Sequence, residues 1–286
     1  MPTTPEQNFD RKVRQIIDNI YRHERASIRQ ALRLLDAVRR DVIARIAETT
    51  TSEFNRSILR QIEASITRRI EEFRQALNIQ LRGNLERAAE LGVEAVDSPV
   101  STLIRPSRVI GVSPQVVQVA ADYSASLITS LSNSLRDQID STLKRAALGS
   151  LSPQDAIKAV GRSLKSRGVF KSIAARAETI VRTEVLRIQE IAAHARMLEN
   201  RETMRRAGWA LKKEWIASLD ARVRPSHAAA NGQVREVDEA FSVGGESLMY
   251  PRDPSGSAQE TINCRCASAS KVERLYLLDR KKKFER

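Results

Sequence analysis

The start of the chain carries two long stretches in which apolar residues recur at helical spacing. Over residues 9–47 and again over residues 53–91, an Ile, Leu, Val or Phe returns every three to four positions among Arg, Asp and Glu. A polar run with Thr50 and Glu53, a candidate capping box, separates them. We predict two helices, each more than about 50 Å long, joined as an antiparallel hairpin. Because the spacing drifts from a strict heptad, packing within one chain is favoured over an oligomeric coiled coil.

Glycine and proline interrupt the apolar pattern next, and a helical middle region follows. Residues 92–114 hold two glycines and three prolines, which predict a break in the helix. After the break, two Ser-Pro pairs each supply a helix N-cap followed by a proline at the first helical position. The predicted helices span residues 114–147, 153–165 and 172–208, and they end at Gly149, Gly168 and Gly208.

The pattern changes from helical to alternating after Gly208. Residues 209–215 alternate enough to predict a strand, and closely spaced Gly and Pro then punctuate short segments up to Gly256. These segments predict a small α+β or loop-rich module with about three short strands. The last residues, 271–286, predict a short helix with a basic end. The predicted fold class is therefore mainly α with a small C-terminal α+β module.

These patterns divide the chain into four parts. Residues 1–96 are predicted to form the long helical arm, and residues 97–150 a linker and a helix. Residues 151–270 hold helices followed by the small module at 209–270, and residues 271–286 form a basic tail. The chain is long enough for two domains, or for one domain with an elongated arm.

Composition narrows the class of protein. Of the 286 residues, 41% are hydrophobic and only 4% are aromatic, which favours helix-on-helix packing over a thick globular core. No apolar run approaches the roughly 20 residues needed to span a bilayer, and the N-terminus does not resemble a signal peptide. Two cysteines spaced C-x-C do not make a secreted disulfide framework. We therefore expect a protein made in a reducing cytoplasm, with no membrane partner.

Positive charge is concentrated in the middle of the chain. The net charge is +13, and residues 144–213 carry 16 basic and 6 acidic side chains, whereas residues 214–270 carry 5 and 8. A basic helical region can bind nucleic acid phosphates or an acidic protein partner, or it can be a solvated helix face. The candidate DNA-binding residues are Lys158, Arg162, Lys165, Arg167, Lys171 and Arg176.

Metal-capable side chains are concentrated in the loop-rich C-terminal segment. His227, Cys264 and Cys266 are soft or borderline ligands, and Asp220 would supply a fourth, a set that zinc accepts tetrahedrally. A small module with little core gains most from such a site. Against zinc, C-x-C is an unusual spacing for two ligands of one ion. Two buried thiols that pack a turn are the favoured alternative, and a strained Cys264–Cys266 disulfide is a third.

The charged residues near His227 admit two interpretations. Asp220 would orient His227 for an acid–base or ligand role, or Asp220, Arg222 and Arg224 would lock a turn through ion pairs, which is the favoured interpretation. Cys264 with His227 and Asp220 also has the composition of a thiol-hydrolase triad, although no nucleophile elbow, P-loop or H-E-x-x-H accompanies it. No residue is therefore assigned as catalytic.

The order of motifs over residues of about 150–270 resembles the phage Mu F-like minor head protein family, also called phage head morphogenesis proteins. The resemblance begins with an Arg-Thr-Glu motif on the basic helix, where Glu184 is expected to pair with Arg187 or Arg182. It ends with Asn-Cys-Arg-Cys, and residues 1–96 hold no recognisable motif. The residues that carry the resemblance are Arg182, Thr183, Glu184, Trp215, Asp220, Arg222, Arg224, His227, Gly232, Pro251, Asn263, Cys264 and Cys266.

The resemblance implies a non-enzymatic, structural minor capsid protein in the head of a tailed phage. Such a protein would sit at the portal vertex of the virion and in the host cytoplasm during assembly, in several copies around the portal. The implied partners are the portal protein, the major capsid protein and packaged double-stranded DNA, with a role in head assembly, DNA packaging or ejection. The alternatives are a thiol-dependent hydrolase using Cys264 and His227, and a DNA-binding protein with no virion role.

Overall fold

The computed structural model describes residues 4–48, 56–106, 114–218 and 220–275. The described part is mainly helical and has a small sheet region near its C-terminal end, which confirms the predicted fold class. The helices are α1 (Pro5–Ala47), α2 (Arg56–Val100), α3 (Pro114–Ala147), α4 (Pro153–Val160), α5 (Val169–Arg206), α6 (Pro225–Ala230) and α7 (Ala258–Thr261). The strands are β1 (Trp209–Ile216), β2 (Val234–Glu236), β3 (Phe241–Val243), β4 (Glu246–Leu248) and β5 (Ala267–Arg274).

The two long N-terminal helices run antiparallel, as their apolar stripes predict. His23 on α1 places Nε2 2.9 Å from the carbonyl oxygen of Asn84 on α2. Further along α1, Asp41 accepts a hydrogen bond from Arg69, which lies earlier on α2. The pairing partner thus moves backward along α2 as α1 advances. The predicted capping box, Thr50 with Glu53, lies outside the described residues.

Contacts divide the protein into two compact units, and neither is a continuous stretch of sequence. The first unit draws on residues 1–25, 84–120 and 182–286, and the second unit on residues 26–83 and 121–181. Each of the helices α1, α2, α3 and α5 therefore contributes one end to each unit. The first unit also holds all five strands and the short helices α6 and α7.

The second unit is a helical bundle whose described helices meet through apolar stripes. Residues three to four positions apart point to one side of a helix, so the spacing that predicts each helix also selects its buried face. Arg69 pairs with Glu72 at 2.6 Å on the outside of the bundle. The buried apolar residues include Ile28, Leu35, Val42, Ile66, Phe73, Leu77, Leu131, Leu135, Ile139, Val160, Phe170 and Ile173.

The first unit combines helix packing with two small antiparallel sheets. Strand β1 is the centre of the order β2-β1-β5, and β1 and β5 pair along their whole length, with Trp215 opposite Ser268. Strands β3 and β4 form a separate hairpin that turns at Gly244 and Gly245, both with positive φ. One core cluster joins the N-terminal part of α1 to α5 and to the sheet, and a smaller cluster surrounds Trp215.

The predicted break at residue 92 is wrong, because α2 continues to Val100. Gly92 serves a close approach: a Cβ there would lie 2.3 Å from the carbonyl oxygen of Gln189 on α5. Pro99 lies in the last turn of α2, where its missing N–H removes one helical hydrogen bond, and the helix ends at the next residue. The start of the predicted linker, residues 97–100, is therefore helical.

The boundary between α4 and α5 also differs from the prediction. Helix α4 ends at Val160 rather than near residue 165, and α5 begins at Val169 rather than near residue 172. Gly161 and Gly168, with φ of 109° and 145°, bracket the turn between them. A Cβ at Gly168 would lie 2.7 Å from the carbonyl oxygen of Ala159, so only glycine fits there.

Strands in the C-terminal part extend further than the alternating pattern indicates. Five strands form within the described residues, where about three were predicted. Residues 271–274, which we assigned to a basic helix, belong to β5, because their backbone pairs with β1 from Lys212 back to Trp209. The rest of the predicted tail helix, residues 276–286, lies outside the described residues. Among the described helices, none has the length and apolarity that crossing a bilayer requires.

Candidate functional site

Three of the four candidate metal ligands meet in the first unit. His227 lies on the short helix α6, which begins at Pro225. Cys264 and Cys266 lie just before β5. Nδ1 of His227 is 3.5 Å from Sγ of Cys264 and 3.3 Å from Sγ of Cys266. Each of the three residues is only 1% exposed. The sequence placed His227 in a loop, and the helix instead fixes the direction of its ring.

A carboxylate that the sequence analysis missed holds the far side of the histidine ring. Oε2 of Glu260, on α7, lies 2.9 Å from Nε2 of His227 and accepts a second hydrogen bond from Ser226 Oγ at 2.9 Å. A Cβ at Gly244 would lie 2.8 Å from Oε1 of Glu260, so the β3–β4 turn closes over this carboxylate. Because an ionised carboxylate only accepts, Nε2 carries the proton at this contact and Nδ1 faces the two sulfurs.

Asp220 does not join the other three candidate ligands, so the predicted fourth ligand is wrong. Its Oδ1 accepts a hydrogen bond from Arg265 Nη2 at 2.6 Å and another from the backbone N–H of Arg222 at 2.9 Å. The backbone contact and the neighbouring guanidinium groups lower the pKa of Asp220. Glu260, rather than Asp220, orients His227, and Asp220 instead closes the turn, as the favoured interpretation predicts.

Arg222 and Arg224 differ in what they contact. The Arg222 side chain is largely exposed and lies 3.9 Å from Asp220. Arg224 Nη2 donates to the carbonyl oxygen of Ile262 at 2.7 Å and so ties the start of α6 to the segment before Cys264. Arg224 therefore positions the backbone near Ile262, Arg222 makes only a long surface ion pair, and neither creates a reactive group.

A fully buried ion pair lies directly behind the two cysteines. Arg252 Nη1 donates to the carbonyl oxygens of Cys264 at 3.0 Å and Cys266 at 2.7 Å, and Nη2 lies 3.2 Å from Glu190. Glu190 also accepts from the backbone N–H of Ser268 at 3.0 Å. Burial raises the pKa of Glu190 to about 7, although Arg252 and Ser268 act in the opposite direction. Arg252 thereby joins α5 to the turn that carries both thiols.

The two thiols have pKa values shifted in opposite directions. A hydrogen bond from Cys266 lowers the pKa of Cys264 well below its usual value, with His227 and Arg252 acting in the same direction and burial opposing them. The same contact with Cys264, together with burial, raises the pKa of Cys266. Both cysteines are free rather than bridged. Cys264 is therefore the thiol that loses its proton more readily.

The Arg-Thr-Glu motif on α5 anchors the segment that precedes the thiols. Arg182 donates from Nε to Glu24 and from Nη1 to Asn263 Oδ1, both at 2.7 Å. Thr183 Oγ1 accepts from the backbone N–H of Asn263 at 2.9 Å. Asn263 has a φ of 59°, in the left-handed region that asparagine tolerates better than most residues. Two motifs 80 residues apart in sequence thus form one partly buried network.

Glu184 completes the motif in the way that the helical spacing predicts. Its carboxylate pairs with Arg187 at 2.9 Å, one helical turn along α5. Burial raises the pKa of Glu184, and Arg187 opposes that shift. Of the two partners considered, Arg187 is therefore the one whose ion pair with Glu184 the structure describes.

Trp215 packs against the imidazole of His227. Its ring is edge-on to His227, with centroids 5.6 Å apart, and edge-on to Phe241, with centroids 5.4 Å apart. The backbone N–H of Gly232, a residue with a φ of 78°, donates to the carbonyl oxygen of Trp215 at 2.8 Å. Pro251 is buried immediately before Arg252. These motif residues shape the enclosure of His227.

The motif residues coincide with a known family. Residues 138–269 match the family model described as Phage Mu protein F like protein. These residues are similar to that family, and we call them the Mu F-like region. The match confirms the resemblance seen in the sequence and covers the Arg-Thr-Glu motif, the histidine and both cysteines.

Two curated proteins are similar to parts of the chain. A Bacillus subtilis (strain 168) protein named YqbB, described as uncharacterized, is 28% identical over 207 residues, which are 71% of this chain and 61% of that protein. The NAD(+)–arginine ADP-ribosyltransferase EFV of Enterococcus faecalis (strain ATCC 700802 / V583) is 35% identical over 94 residues, 33% of this chain and 18% of that protein. The chain thus spans less than two thirds of either relative. No solved structure matches at a significant level.

The candidate DNA-binding residues lie in the second unit and all have exposed side chains. Lys158 is on α4, where it pairs with Asp155 at 2.9 Å. Arg176 is on α5 and donates to the hydroxyls of Ser134 at 3.1 Å and Ser130 at 2.9 Å. The other four lie in the α4–α5 turn or at the start of α5: Arg162, Lys165, Arg167 and Lys171. The Mu F-like region therefore contains both the buried histidine–thiol group and this exposed basic surface.

Sequence reasoning missed Glu260, Arg252 and Glu190, although each touches the candidate site or its backbone. Glu260 precedes Cys264 by four residues, and Arg252 follows Pro251, but nothing in their spacing separates them from surface residues. Glu190 carried one signal, because it lies two turns along the basic helix from the Arg-Thr-Glu motif, on its apolar side. A charged residue on an apolar helix face indicates a buried partner.

Proposed function

We propose that this chain is a structural minor head protein of a tailed phage that acts in head morphogenesis. The observation that carries the proposal is the match of residues 138–269 to the Phage Mu protein F like family. The motifs that resemble phage head morphogenesis proteins, over residues of about 150–270, lie almost entirely within this matched region. Most of the charged, thiol and aromatic motif residues, including Arg182, Trp215 and His227, are buried and hold helices, turns and strands together, which suits a stable part of an assembly.

The geometry favours a structural role over a hydrolytic one. Cys264 and His227 are each only 1% exposed, so a substrate carbonyl cannot reach the sulfur in this conformation. A nucleophile and its base must contact the reacting atom, and here burial keeps both from a substrate, although the contact of Glu260 with the opposite ring nitrogen would suit either role. We infer that the chain is not a thiol hydrolase. The transferase activity in the Enterococcus relative's name is not proposed either, because the match covers 18% of that protein.

The portal protein and the major capsid protein are the proposed partners, with the chain present in several copies at the portal vertex. This part of the proposal rests on the family resemblance alone. The protein would occupy the phage head after assembly and the host cytoplasm before it.

Co-expression with the cognate portal and major capsid proteins tests the proposal. We expect the full chain to co-sediment with portal rings or procapsids, and mass spectrometry of purified particles to find a few copies per particle. Portal protein from an unrelated phage is the control, and it should recover none of the chain. A chain that stays alone and soluble with both cognate proteins present would refute the virion role.

We further propose that the exposed basic residues of the second unit contact packaged DNA. Six exposed cations lie within nineteen consecutive positions, from Lys158 to Arg176. Asp155, three positions before that stretch, pairs with Lys158, whereas the described contacts of Arg176 are with neutral hydroxyls. Neutralising phosphates releases counterions, so a cluster of this kind binds DNA regardless of sequence.

Salt dependence and a matched charge reversal test the DNA contact. Reversing three cations of the cluster, Lys165→Glu, Arg167→Glu and Lys171→Glu, should weaken duplex binding at least tenfold and flatten the dependence of affinity on salt. The control reverses three exposed arginines of the first unit, Arg201, Arg205 and Arg206, which pair with Asp238 or Glu202. Equal losses in both variants, or salt-insensitive binding, would refute a specific role for the cluster.

A further inference from the structure

Three donor atoms in the first unit point at one another from separate elements. Nδ1 of His227 comes from α6, and the two Sγ atoms come from the segment just before β5. All three atoms lie within 4.8 Å of one another. Among the described residues, no other group of three or more His, Cys, Asp or Glu side chains converges in this way. We propose that His227, Cys264 and Cys266 bind one zinc ion, which fixes the C-terminal module.

The distances between the donors are those of a tetrahedral edge. With Zn–S near 2.3 Å and Zn–N near 2.0–2.1 Å, a tetrahedral angle separates a nitrogen and a sulfur ligand by about 3.5 Å. The structure has 3.3 Å and 3.5 Å for the two nitrogen–sulfur separations. Both nitrogen–sulfur separations therefore suit a shared zinc ion, and one coordination position is left for a ligand from outside the group.

The tautomer of the histidine is the one that a metal ligand needs. Nε2 faces the carboxylate of Glu260 at 2.9 Å, which places the proton on Nε2 and leaves the lone pair of Nδ1 toward the sulfurs. A carboxylate on the outer nitrogen of a metal-bound histidine is the usual supporting contact, since it orients the ring and increases its basicity. Glu260 is thus a positioning residue, itself held by Ser226.

A zinc ion would satisfy Nδ1 of His227 and the two sulfur atoms better than hydrogen bonds among them. Both sulfurs approach one nitrogen, yet a single lone pair accepts well from only one thiol. Two thiolates and one zinc dication sum to zero charge, so the filled site would be neutral. The neighbouring ion pair of Arg252 with Glu190 is also neutral as a whole. Burial penalises an uncompensated charge, and the zinc site avoids one.

The module around the three donors has a small hydrophobic core that a metal ion would stabilise. The cluster around Trp215 holds eight buried residues, and two of them are the cysteines themselves. A core of this size supplies little stability, and small loop-rich modules commonly gain it from a structural metal. The ion would join α6 to the segment just before β5, since His227 and Cys264 are 37 residues apart in sequence.

Metal content of the untagged full chain is the first test. The protein is purified without chelators, and zinc is measured by inductively coupled plasma mass spectrometry. We expect about one zinc per chain, and at least a fivefold loss of bound zinc in Cys264→Ser and in Cys266→Ser. His194→Gln is the matched control, because His194 is a partly buried histidine of the same unit that belongs to no metal-capable group. This variant should keep its zinc.

Cobalt replacement identifies the ligands even where a cysteine variant fails to fold. Cobalt exchanged into the wild-type chain should give a thiolate-to-cobalt charge-transfer band in the near ultraviolet and the strong visible bands of tetrahedral coordination. Glu260→Gln separates positioning from ligation: it should weaken zinc affinity about 10- to 100-fold and still give the cobalt bands at saturation. A purely structural Glu260 would leave the affinity unchanged in the folded variant.

Three outcomes would overturn the proposal. A folded wild-type chain that contains no zinc and takes up neither zinc nor cobalt, with two thiols titrating after denaturation, would establish a pair of buried thiols. The same chain with no titratable thiol would establish a Cys264–Cys266 disulfide. A chain loaded with copper instead of zinc would refute the identity of the metal.

Discussion

The two units of the protein bury different kinds of side chain. Of the described polar residues of the second unit, those that are buried are four hydroxyls: Ser27, Ser124, Ser132 and Thr142. The first unit buries ionised groups as well, including the Arg252–Glu190 pair at 0% exposure and Arg196 at 1%. An apolar interface tolerates changes of partner and register, whereas a buried charge network accepts one arrangement. The second unit is therefore held together mainly by apolar packing, whereas the buried charges of the first unit restrict it to one arrangement of side chains.

Removing one partner of the buried ion pair should produce the largest effect. Arg252→Met leaves Glu190 without its cation and frees the carbonyl oxygens of Cys264 and Cys266, so we expect a loss of about 3–5 kcal/mol in the free energy of unfolding. Urea denaturation followed by tryptophan fluorescence measures it, because both tryptophans of the chain lie in the first unit. Arg205→Met, which disrupts an exposed pair with Glu202, should cause no measurable change.

A cavity in the second unit should cost somewhat less. Leu135 on α3 is 0% exposed, and Leu135→Ala removes buried methyl groups from the bundle, with an expected loss of about 2–4 kcal/mol. Circular dichroism at a helical wavelength is the suitable probe, since the second unit has no tryptophan. Leu135→Met, which keeps most of the volume, should lose less than about 1.5 kcal/mol. Equal losses for the two variants would argue against tight packing of the bundle.

Two glycines of the same helix should respond to alanine in opposite directions. At Gly92, in the first unit, the new Cβ would meet backbone at 2.3 Å, so Gly92→Ala should destabilise by about 1–3 kcal/mol. At Gly83, in the second unit, no atom lies within 4 Å of the new Cβ. Gly83→Ala should therefore stabilise by about 0.5–1 kcal/mol through helix propensity. Thermal unfolding of both variants measures the pair, and the same sign for both would contradict the close approach at Gly92.

The stability of the first unit should decrease in mild acid, by a smaller amount. Burial lowers the pKa of His194 to about 4, with Lys213 acting in the same direction and Asp253 opposing, and the ring packs against Tyr250. Between that pH and the ordinary value near 6.5, the unfolded chain binds a proton that the folded chain does not. Stability therefore falls as the pH drops through this window, by about 1–2 kcal/mol for a partly buried ring.

The variant His194→Gln isolates this contribution. Its stability should depend less on pH than that of the wild type between about pH 6.5 and 4, when both are measured by tryptophan fluorescence in urea. Parallel stability curves for the two proteins would show that His194 does not contribute to the acid sensitivity.

The sequence predicts best those features that depend on residues close together along the chain. Helices α1 and α3 lie close to their predicted bounds, because amphipathic spacing and a Ser-Pro start are local signals. The break at Gly92 was wrong, because a glycine that permits a close helix crossing looks the same in sequence as one that ends a helix. Residues 271–274 formed a strand because β1 was available to pair with them.

The candidate site shows the same limit. His227, Cys264 and Cys266 were recognised by side-chain type, and the structure brings them together. Asp220 was chosen by the same criterion and binds Arg265 instead, because the fold places that largely buried arginine beside its exposed carboxylate. Glu260 was missed because nothing in the local sequence distinguishes it from a surface carboxylate, and Glu190 was missed although its place on an apolar helix face was a signal of burial.

The sequence by itself determined the helical stripes of both units, the basic stretch around Lys165, and the presence of soft ligands in a segment rich in turns. Periodicity and residue type are properties of neighbours along the chain, so a linear pattern is sufficient for them. The tertiary structure alone decided that Glu260 holds His227, that Arg252 supports both thiols, and that Arg182 and Thr183 fix Asn263. These contacts join residues 12 to 81 positions apart, and their partners are selected by burial, where each polar group must find the one neighbour that satisfies it.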